Sequence, residues 1–489
     1  MDGSGTGPDS LPVELDALQR SVRSAIYPYK DRLINIAFSG GPDSTALLYV
    51  TVSLRSSMGL NLRALHVNHG WNEKSEDWAA HCESIARELS VPCKTIQLGA
   101  NFVFDQEYAD FSGSSREAKA RAARYYWFSQ MVDPADVLLT GHHLDDQAET
   151  FILRLMRGSS IRGLGAMRPR QNLNKLQVLR PFLGLSRDSL LQWVSDKKLR
   201  ALDDPSNNNI SFDRNFLRHV ILPRFNSRWP GTTKILGRAA VHSQGTQLLL
   251  DEVAADDFSG CSLVRSRCYL FHLGAASIPA LFELSRMRLL NVFRFWIRSA
   301  TLKTPPERAL GEFIRQLETI GPDSAASLRL GSMVFRTYRD GLFLVPHPGR
   351  DHTSEPESQL WDGTSVKIHG PDLELIPERM MASGLRASLF DDGVIELRWR
   401  RGKTRVTPQG RGPHRYALRK ILQELSVPPW ERERIPLIFV NGQFAGMPQV
   451  LVEESCRARA GEVGVEIHLR DLRKPDDYYT TPIVSKEWV

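Results

Sequence analysis

Up to about position 220 the chain alternates two kinds of pattern, and that alternation limits the fold more than any other feature. Residues 33–38 are a short apolar run, followed by a glycine turn and a helical pattern through Ala46, Leu47 and Leu48. Residues 62–67, 94–98 and 137–140 repeat the strand pattern, with helical stretches at 76–89 and 116–131 between them. Consecutive strands separated by helices pair in parallel, because each crossover returns the chain to the same edge before the next strand begins. The expected fold class is therefore α/β: a doubly wound, mainly parallel sheet that binds ligands at the carboxyl ends of its strands. At 489 residues the chain is long enough for further domains. From about residue 222 to 319 the pattern is helical, over 233–255, 278–300 and 307–319. A hairpin is expected next, 333–338 and 342–345 around Arg339-Asp340-Gly341, with Asp-Gly as its turn. Residues 347–377 are polar with recurring Pro and Gly and read as a linker. A small α+β unit follows, with strands at 394–398 and 435–440, a helix at 416–425 and Phe444-Ala445 near a turn.

The charge is localised. The chain carries a net +7, and residues 395–434 hold eleven basic against four acidic residues, so this segment alone contains the excess. Trp399, Tyr416 and Trp430 interleave with those cations, a pattern suited to phosphate contact and base stacking; the alternative is a solvated basic face whose aromatic residues belong to the core. The five Cys residues form no C-x-x-C pair, which argues against a zinc ribbon, a Cys-ligated cluster or a disulfide scaffold. No apolar stretch is long enough to span a bilayer and the N-terminus has no signal-peptide pattern, so no membrane association is expected and the expected location is cytoplasmic.

Two loops carry chemistry. Ser39-Gly40-Gly41-Pro42-Asp43-Ser44 lies between a strand and a helix. Its glycines let backbone N–H groups approach an anion, and the helix N-terminus adds the positive end of its dipole. The Ser39 and Ser44 hydroxyls can donate to phosphate oxygens, and Asp43 can cap the helix or hold Mg²⁺ through water. Neither the Walker spacing nor G-x-G-x-x-G is present. The second loop, Gly141-His142-His143-Leu144-Asp145-Asp146, follows the fourth strand and brings two imidazoles and two carboxylates to the same sheet end. A transition-metal site, helix capping by the Asp pair, and acid/base chemistry with phosphate contact are the three readings of that loop.

With these residues in place the chain resembles the N-type ATP pyrophosphatases (the PP-loop superfamily), whose pyrophosphate loop is S-G-G-x-D-S. The resemblance narrows through Ala64-Leu65-His66-Val67-Asn68-His69-Gly70, Arg116-Glu117-Ala118, Arg121, Arg124-Tyr125, Arg154 to Gly158, Leu179-Arg180-Pro181-Phe182-Leu183, Asp204-Pro205-Ser206-Asn207 and Arg214 to Arg218. These, with Leu418-Arg419-Lys420 and Val427-Pro428-Pro429-Trp430-Glu431-Arg432, are similar to the tRNA(Ile)-lysidine synthases. The resemblance implies an adenine nucleotide alpha hydrolase-like fold and a division into 1–29 (tail and helix), 30–225 (catalytic), 226–346 (helical, substrate recognition), 347–390 (linker), 391–474 (basic, tRNA-binding) and 475–489 (tail). It implies ATP and Mg²⁺ as cofactors, with free L-lysine and the CAU-anticodon isoleucine tRNA as partners; a homodimer is open. The 2-oxo oxygen of the wobble cytidine would attack the α-phosphate of ATP, and lysine's ε-amine would then displace AMP. Lysine is only about 0.04% neutral at pH 7, so a carboxylate must take its proton. The implied catalytic residues are Asp43, Arg121, His142, His143, Asp145 and Asp146, with Asp145 or Asp146 as the proton acceptor and Asp43 on Mg²⁺. Residues 39–44 would bind ATP, and Arg411, Arg415, Arg419, Lys420, Trp430 and Arg432 would bind tRNA. Surface salt bridging is the plain alternative for Arg121 and Arg124. A tRNA thiolase of the same superfamily, or a non-enzymatic RNA-binding protein, are the rival functions.

Overall fold

The computed structural model describes the chain apart from residues 1–14, 69–74, 98–115, 174–175, 204, 264–273, 301–303, 320–325, 348–357, 369–372, 392, 400–403, 410–411 and 472–489. It divides into two compact units, 1–249 and 250–489, and the helix Thr232–Cys261 begins in the first and ends in the second.

In the first unit the strands are β1 (Leu33–Ala37), β2 (Asn61–Asn68), β3 (Cys93–Gln97), β4 (Val137–Leu139), β5 (Arg170–Leu173) and β6 (Leu176–Leu179), the first four close to their expected spans. They form one sheet in the order β3-β2-β1-β4-β6-β5, parallel throughout except for the β5–β6 pair. The chain leaves β1 toward β2 and β3, then crosses back to place β4 on the other side of β1. That reversal leaves a crevice outside the carboxyl ends of β1 and β4. The strands read as continuous apolar runs because helices cover the sheet: Ile34, Ile36, Val137 and Leu139 are buried with Leu47, Leu48, Ile85 and Phe182. The one polar residue in the middle of β1, Asn35, is fully satisfied, donating to the Val137 carbonyl at 3.2 Å and accepting from Arg63 Nε at 2.7 Å.

In the second unit the helices Ile278–Glu283, Arg286–Ser299 and Glu307–Glu318 accompany a four-stranded antiparallel sheet, so this region is mixed rather than purely helical. Phe293, Trp296, Phe313 and Phe335 fill its core, Trp296 and Phe335 meeting edge to face at 4.9 Å. The single helix expected over 278–300 is broken, because Leu284 is extended and Ser285 restarts the helix. The hairpin pairs Met333–Tyr338 with Gly341–Pro346, and Gly341 sits opposite Tyr338. Its turn is Arg339-Asp340 rather than Asp-Gly, with Arg339 at φ 52°.

The linker reading of 347–390 is corrected. Ser358–Trp361, Val366–Ile368 and Leu373–Met381 are strands, and the last pairs along its whole length with Val463–Asp471. Leu373 and Leu375 are fully buried in the C-terminal core with Leu397, Leu437 and Leu469. Burial alternates along that strand, Leu373 and Leu375 inward and Glu374 and Ile376 half-buried, but Ile376 and Pro377 break the apolar–polar alternation in the sequence and the Pro-rich composition around it masks the signal. Phe444 and Ala445 lie inside a strand, Gln443–Met447, and the turn before it is Asn441-Gly442, both at positive φ.

Candidate functional site

The crevice at β1 and β4 brings the two sequence loops into backbone contact. The residues after β1 are 38–44, and those after β4 are 140–146. A Cβ on Gly141 would stand 2.9 Å from the Asp43 carbonyl oxygen, so only glycine permits this approach. Gly40 has φ +82°, and a Cβ there would meet Leu202 and the Cys82 sulfur.

Gly41 is the N-cap of α1 (Pro42–Ser53), and no side chain caps it, so the first amides of a 12-residue helix face the crevice uncapped. The two serines have different situations. Ser44 is buried, donating its hydroxyl to the Gly41 carbonyl at 3.0 Å and accepting the Ser39 amide at 3.2 Å. Ser44 therefore shapes the loop, and its proton is not directed at a ligand as the sequence suggests. Ser39 is exposed, 3.1 Å from the Ser44 hydroxyl. Asp43 lies in the first turn, with Oδ1 buried and without a hydrogen-bond partner.

His143 is the N-cap of α2 (Leu144–Met156), in a reciprocal box with Asp146: its Nδ1 accepts the Asp146 amide at 3.4 Å and its own amide donates to Asp146 Oδ2 at 3.0 Å. The ring, 1% exposed, is surrounded by carboxylates, with Asp43 and Asp146 3.6 and 3.5 Å from Nε2 and Asp145 3.6 Å from Nδ1. Burial alone would lower its pKa, but Asp43, Asp146 and Asp145 outweigh that and raise it above the ordinary imidazole value. His142 behaves oppositely. Burial keeps it well below the usual value, so it is a neutral ring whose Nδ1 is 2.9 Å from the Thr140 hydroxyl.

Asp145 and Asp146, adjacent in sequence, differ in environment. Asp146 Oδ1 accepts from Arg214 at 2.7 Å and Arg218 at 3.2 Å. Burial would raise its pKa, but Arg214 foremost, then His143, His142 and Arg218, holds it well below the carboxylate range. Asp145 is 30% exposed and accepts one amide, from Arg187 at 2.8 Å. One turn along α2, the fully buried Glu149 accepts from Arg214 Nε at 2.6 Å and Arg218 Nε at 2.7 Å. Two carboxylates and two guanidiniums thus form a network beneath the loop. Glu149, Arg214 and Arg218 carry no role in the sequence reading, although their motifs are visible there; pairing between segments so far apart in the chain leaves no local trace.

Arg121 is exposed on the helix Arg116–Met131, its guanidinium 5.4 Å from the Tyr125 ring centroid. It belongs to a cationic group. The largely buried Arg180 donates to the Arg168 carbonyl and bonds to Tyr125, while Arg154 donates to the Gly163 and Ala166 carbonyls. Burial is the first cause that lowers the pKa of both; Arg121 and Arg180 add to it for Arg154, while for Arg180 Tyr125 opposes it and Arg121 adds to it. Three converging arginines near His142 suit an anionic substrate. The cysteines stand apart from this chemistry: burial pushes the Cys82 thiol up to about 12 and Cys93 to about 11, so neither offers a thiolate. Among the described residues no group of three His, Cys, Asp or Glu could hold a metal ion. Magnesium asks less, one or two carboxylates plus phosphate oxygens, and the orphaned Asp43 Oδ1 fits that need.

In the C-terminal unit Arg415, Arg419 and Lys420 are exposed, as the sequence suggests, and Arg411 lies outside the described residues. The aromatic residues turn inward. Trp399 and Tyr416 pack against the C-terminal core, and Trp430 meets Phe343 at 5.5 Å and Tyr338 at 6.1 Å. Arg432 donates to the Val427 carbonyl at 2.7 Å and to the Tyr338 hydroxyl at 3.4 Å, so it and Trp430 join two parts of the unit rather than presenting a stacking surface.

Known proteins resemble the chain along most of its length. Family models match in three places: a PP-loop domain over 15–225, a TilS substrate binding domain over 277–343 and a TilS substrate C-terminal domain over 395–469. The chain is 32% identical to the tRNA(Ile)-lysidine synthase of Coxiella burnetii over 89% of its length and 92% of that relative. It is 34% identical to that of Alkalilimnicola ehrlichii (87% and 91% covered) and 33% to that of Shigella flexneri (89% and 95%). No helix among the described residues is long and apolar enough to cross a membrane.

Proposed function

Since the chain belongs to the tRNA(Ile)-lysidine synthase family, we propose that it ligates the ε-amine of free lysine to carbon 2 of the wobble cytidine in the CAU-anticodon isoleucine tRNA. ATP is converted to AMP and pyrophosphate, and the reaction takes place in the cytoplasm. The observation that supports this most directly is the meeting of the 39–44 loop and the 141–146 loop at the strand-order reversal, with an uncapped helix N-terminus beside a buried, unpartnered Asp43 oxygen.

In the first step the cytosine 2-oxo oxygen bonds to the α-phosphorus and the bond to pyrophosphate breaks. The amides at the start of α1 and the exposed Ser39 hydroxyl receive the phosphate charge. Asp43 would hold Mg²⁺, which when bound would supply positive charge to the departing pyrophosphate. Arg121, Arg154 and Arg180 provide positive charge for the AMP moiety or the RNA phosphate, and the neutral His142 can donate a hydrogen bond without adding charge. In the second step the lysine nitrogen bonds to carbon 2, the bond to the adenylate oxygen breaks, and AMP leaves. The amine's proton goes to Asp145. Asp146 is unsuited to accept it, because two arginines on Oδ1 keep it ionised and the His143 amide occupies Oδ2; it orients His143 instead. Residues 226–346 recognise the substrate, and 391–474 grip the tRNA body.

The test is direct. Incubated with ATP, Mg²⁺, labelled lysine and either isoleucine or methionine tRNA, the protein places label in the isoleucine tRNA alone; label in neither would end the proposal. For the C-terminal module, replacing Arg411, Arg415, Arg419 and Lys420 together by Ala weakens tRNA binding and flattens its salt dependence. Each lost phosphate contact lowers the log–log slope by about 0.7 to 0.9. An unchanged slope would place the RNA elsewhere.

A further inference from the structure

The neutral charge sum outside 395–434 hides a second basic stretch. From Arg214 to Leu250 the chain carries Arg214, Arg218, Arg224, Arg228, Lys234 and Arg238 and no acidic residue. The first two bind Asp146 and Glu149; the other four side chains are exposed. Aromatic residues stand among them in solvent: Phe212, Phe216, Phe225 and Trp229, the last 56% exposed. They come in two i,i+4 pairs that bracket the helical run 213–228, Phe212 and Trp229 being its end caps, and within each pair the later amide donates to the earlier carbonyl, Phe216 to Phe212 at 2.9 Å and Trp229 to Phe225 at 2.7 Å. The Phe225 and Trp229 rings meet at 6.1 Å, with the Arg228 guanidinium 5.7 Å from the Trp229 centroid.

A single exposed aromatic residue is ordinary. Four on one short run, with exposed cations among them and Asp213, paired with Arg157 at 4.0 Å, as its one acid, form the combination that single-stranded RNA requires: flat π faces for bases and positive charge for the backbone. The reaction adds a geometric reason. For one cytosine to present its C2 edge in the crevice, its neighbours in the loop must give up stacking on it, and a protein surface that stacks them compensates. The run that carries these rings also carries Arg214 and Arg218, so the surface begins where the Asp146–Glu149 network ends.

We propose that Phe212, Phe216, Phe225 and Trp229, with Arg224, Arg228, Lys234 and Arg238, hold the unstacked nucleotides that flank the reacting cytidine. The proposal rests on the reading that the substrate is a tRNA anticodon loop. Every base has a π face, so this surface contributes binding rather than choice of sequence.

The experiment uses the full chain. In Phe225→Ala/Trp229→Ala the KM for tRNA rises about tenfold or more, while the KM values for ATP and lysine stay within about twofold of wild type and the salt slope is unchanged. Arg224→Ala/Arg228→Ala instead lowers the salt slope by about 1.4, the loss of two single-strand phosphate contacts. Trp229→Phe, which keeps a ring, recovers most of the KM. An unchanged tRNA KM in both double variants overturns the proposal, as does a loss that Trp229→Phe fails to recover. A double variant that changes only from dimer to monomer on gel filtration assigns the face to a second copy of the chain and also overturns it. Filter binding of the anticodon stem-loop separates the two levels: if wild type forms no lysine-labelled tRNA the functional reading fails, whereas wild-type RNA affinity in the variants defeats the surface alone.

Discussion

Asp43→Asn is expected to release pyrophosphate from ATP on the order of a thousandfold more slowly than the native protein, with tRNA affinity unchanged. The substitution keeps the size and shape of the side chain and removes its charge. The loop hydrogen bonds made by Ser39, Ser44 and Thr45 do not pass through Asp43, so the loop survives. What is lost is the carboxylate whose Oδ1 is buried without a partner and whose Oδ2 lies 3.6 Å from His143. Stabilisation of a leaving phosphate by a held cation amounts to several kcal/mol, and about 4 kcal/mol is the thousandfold expected. The measurement is tRNA-dependent pyrophosphate release beside filter binding of the same tRNA. Native rates of release would remove Asp43 from the chemistry; a parallel loss of RNA binding would show that the residue is structural.

Glu149→Ala is expected to destabilise the catalytic unit by about 3–5 kcal/mol. Arg214 and Arg218 each donate to Glu149 and to Asp146, and Glu149 has no exposed surface. Removing it leaves two partly buried guanidiniums sharing one carboxylate. Urea unfolding of the full chain reads the effect as an earlier first transition, and an unchanged transition of the C-terminal unit provides a control. Replacing Arg214 and Arg218 by Leu and Met alongside Glu149→Leu should recover part of the stability, because a packed apolar trio no longer leaves a charge unpaired. Lysine ligation should stay lost in that triple variant, since Asp146 would no longer be held. Native stability in Glu149→Ala would mean that water replaces the carboxylate and that the network carries little of the unit's stability.

Much of the architecture is legible locally. The alternation of residues 33–140, the Ser-Gly-Gly turn and the helix at 116–131 each depend on neighbours close by in the chain, and the structure reproduces them. Composition misleads where it stands in for pairing. Residues 358–381 resemble a linker because Pro and Gly punctuate them, yet their strands are completed by partners near 395 and 463–471. Trp430 suggests stacking because its neighbours are cationic, and whether a Trp on a helix faces solvent or Phe343 is a matter of tertiary packing.

The sequence by itself determined which residues could do chemistry and which end of which strand they occupy. A loop after an apolar strand of a parallel sheet is carried to the carboxyl end of the sheet by connectivity alone. The tertiary structure decided which of those residues are free to act. Asp145 and Asp146 are indistinguishable by type and position, but Arg214 and Arg218, from a distant part of the chain, bind one and leave the other open. Ionisation and hydrogen-bond commitment depend on what surrounds a side chain in space, and that surrounding is assembled only when distant segments fold against each other.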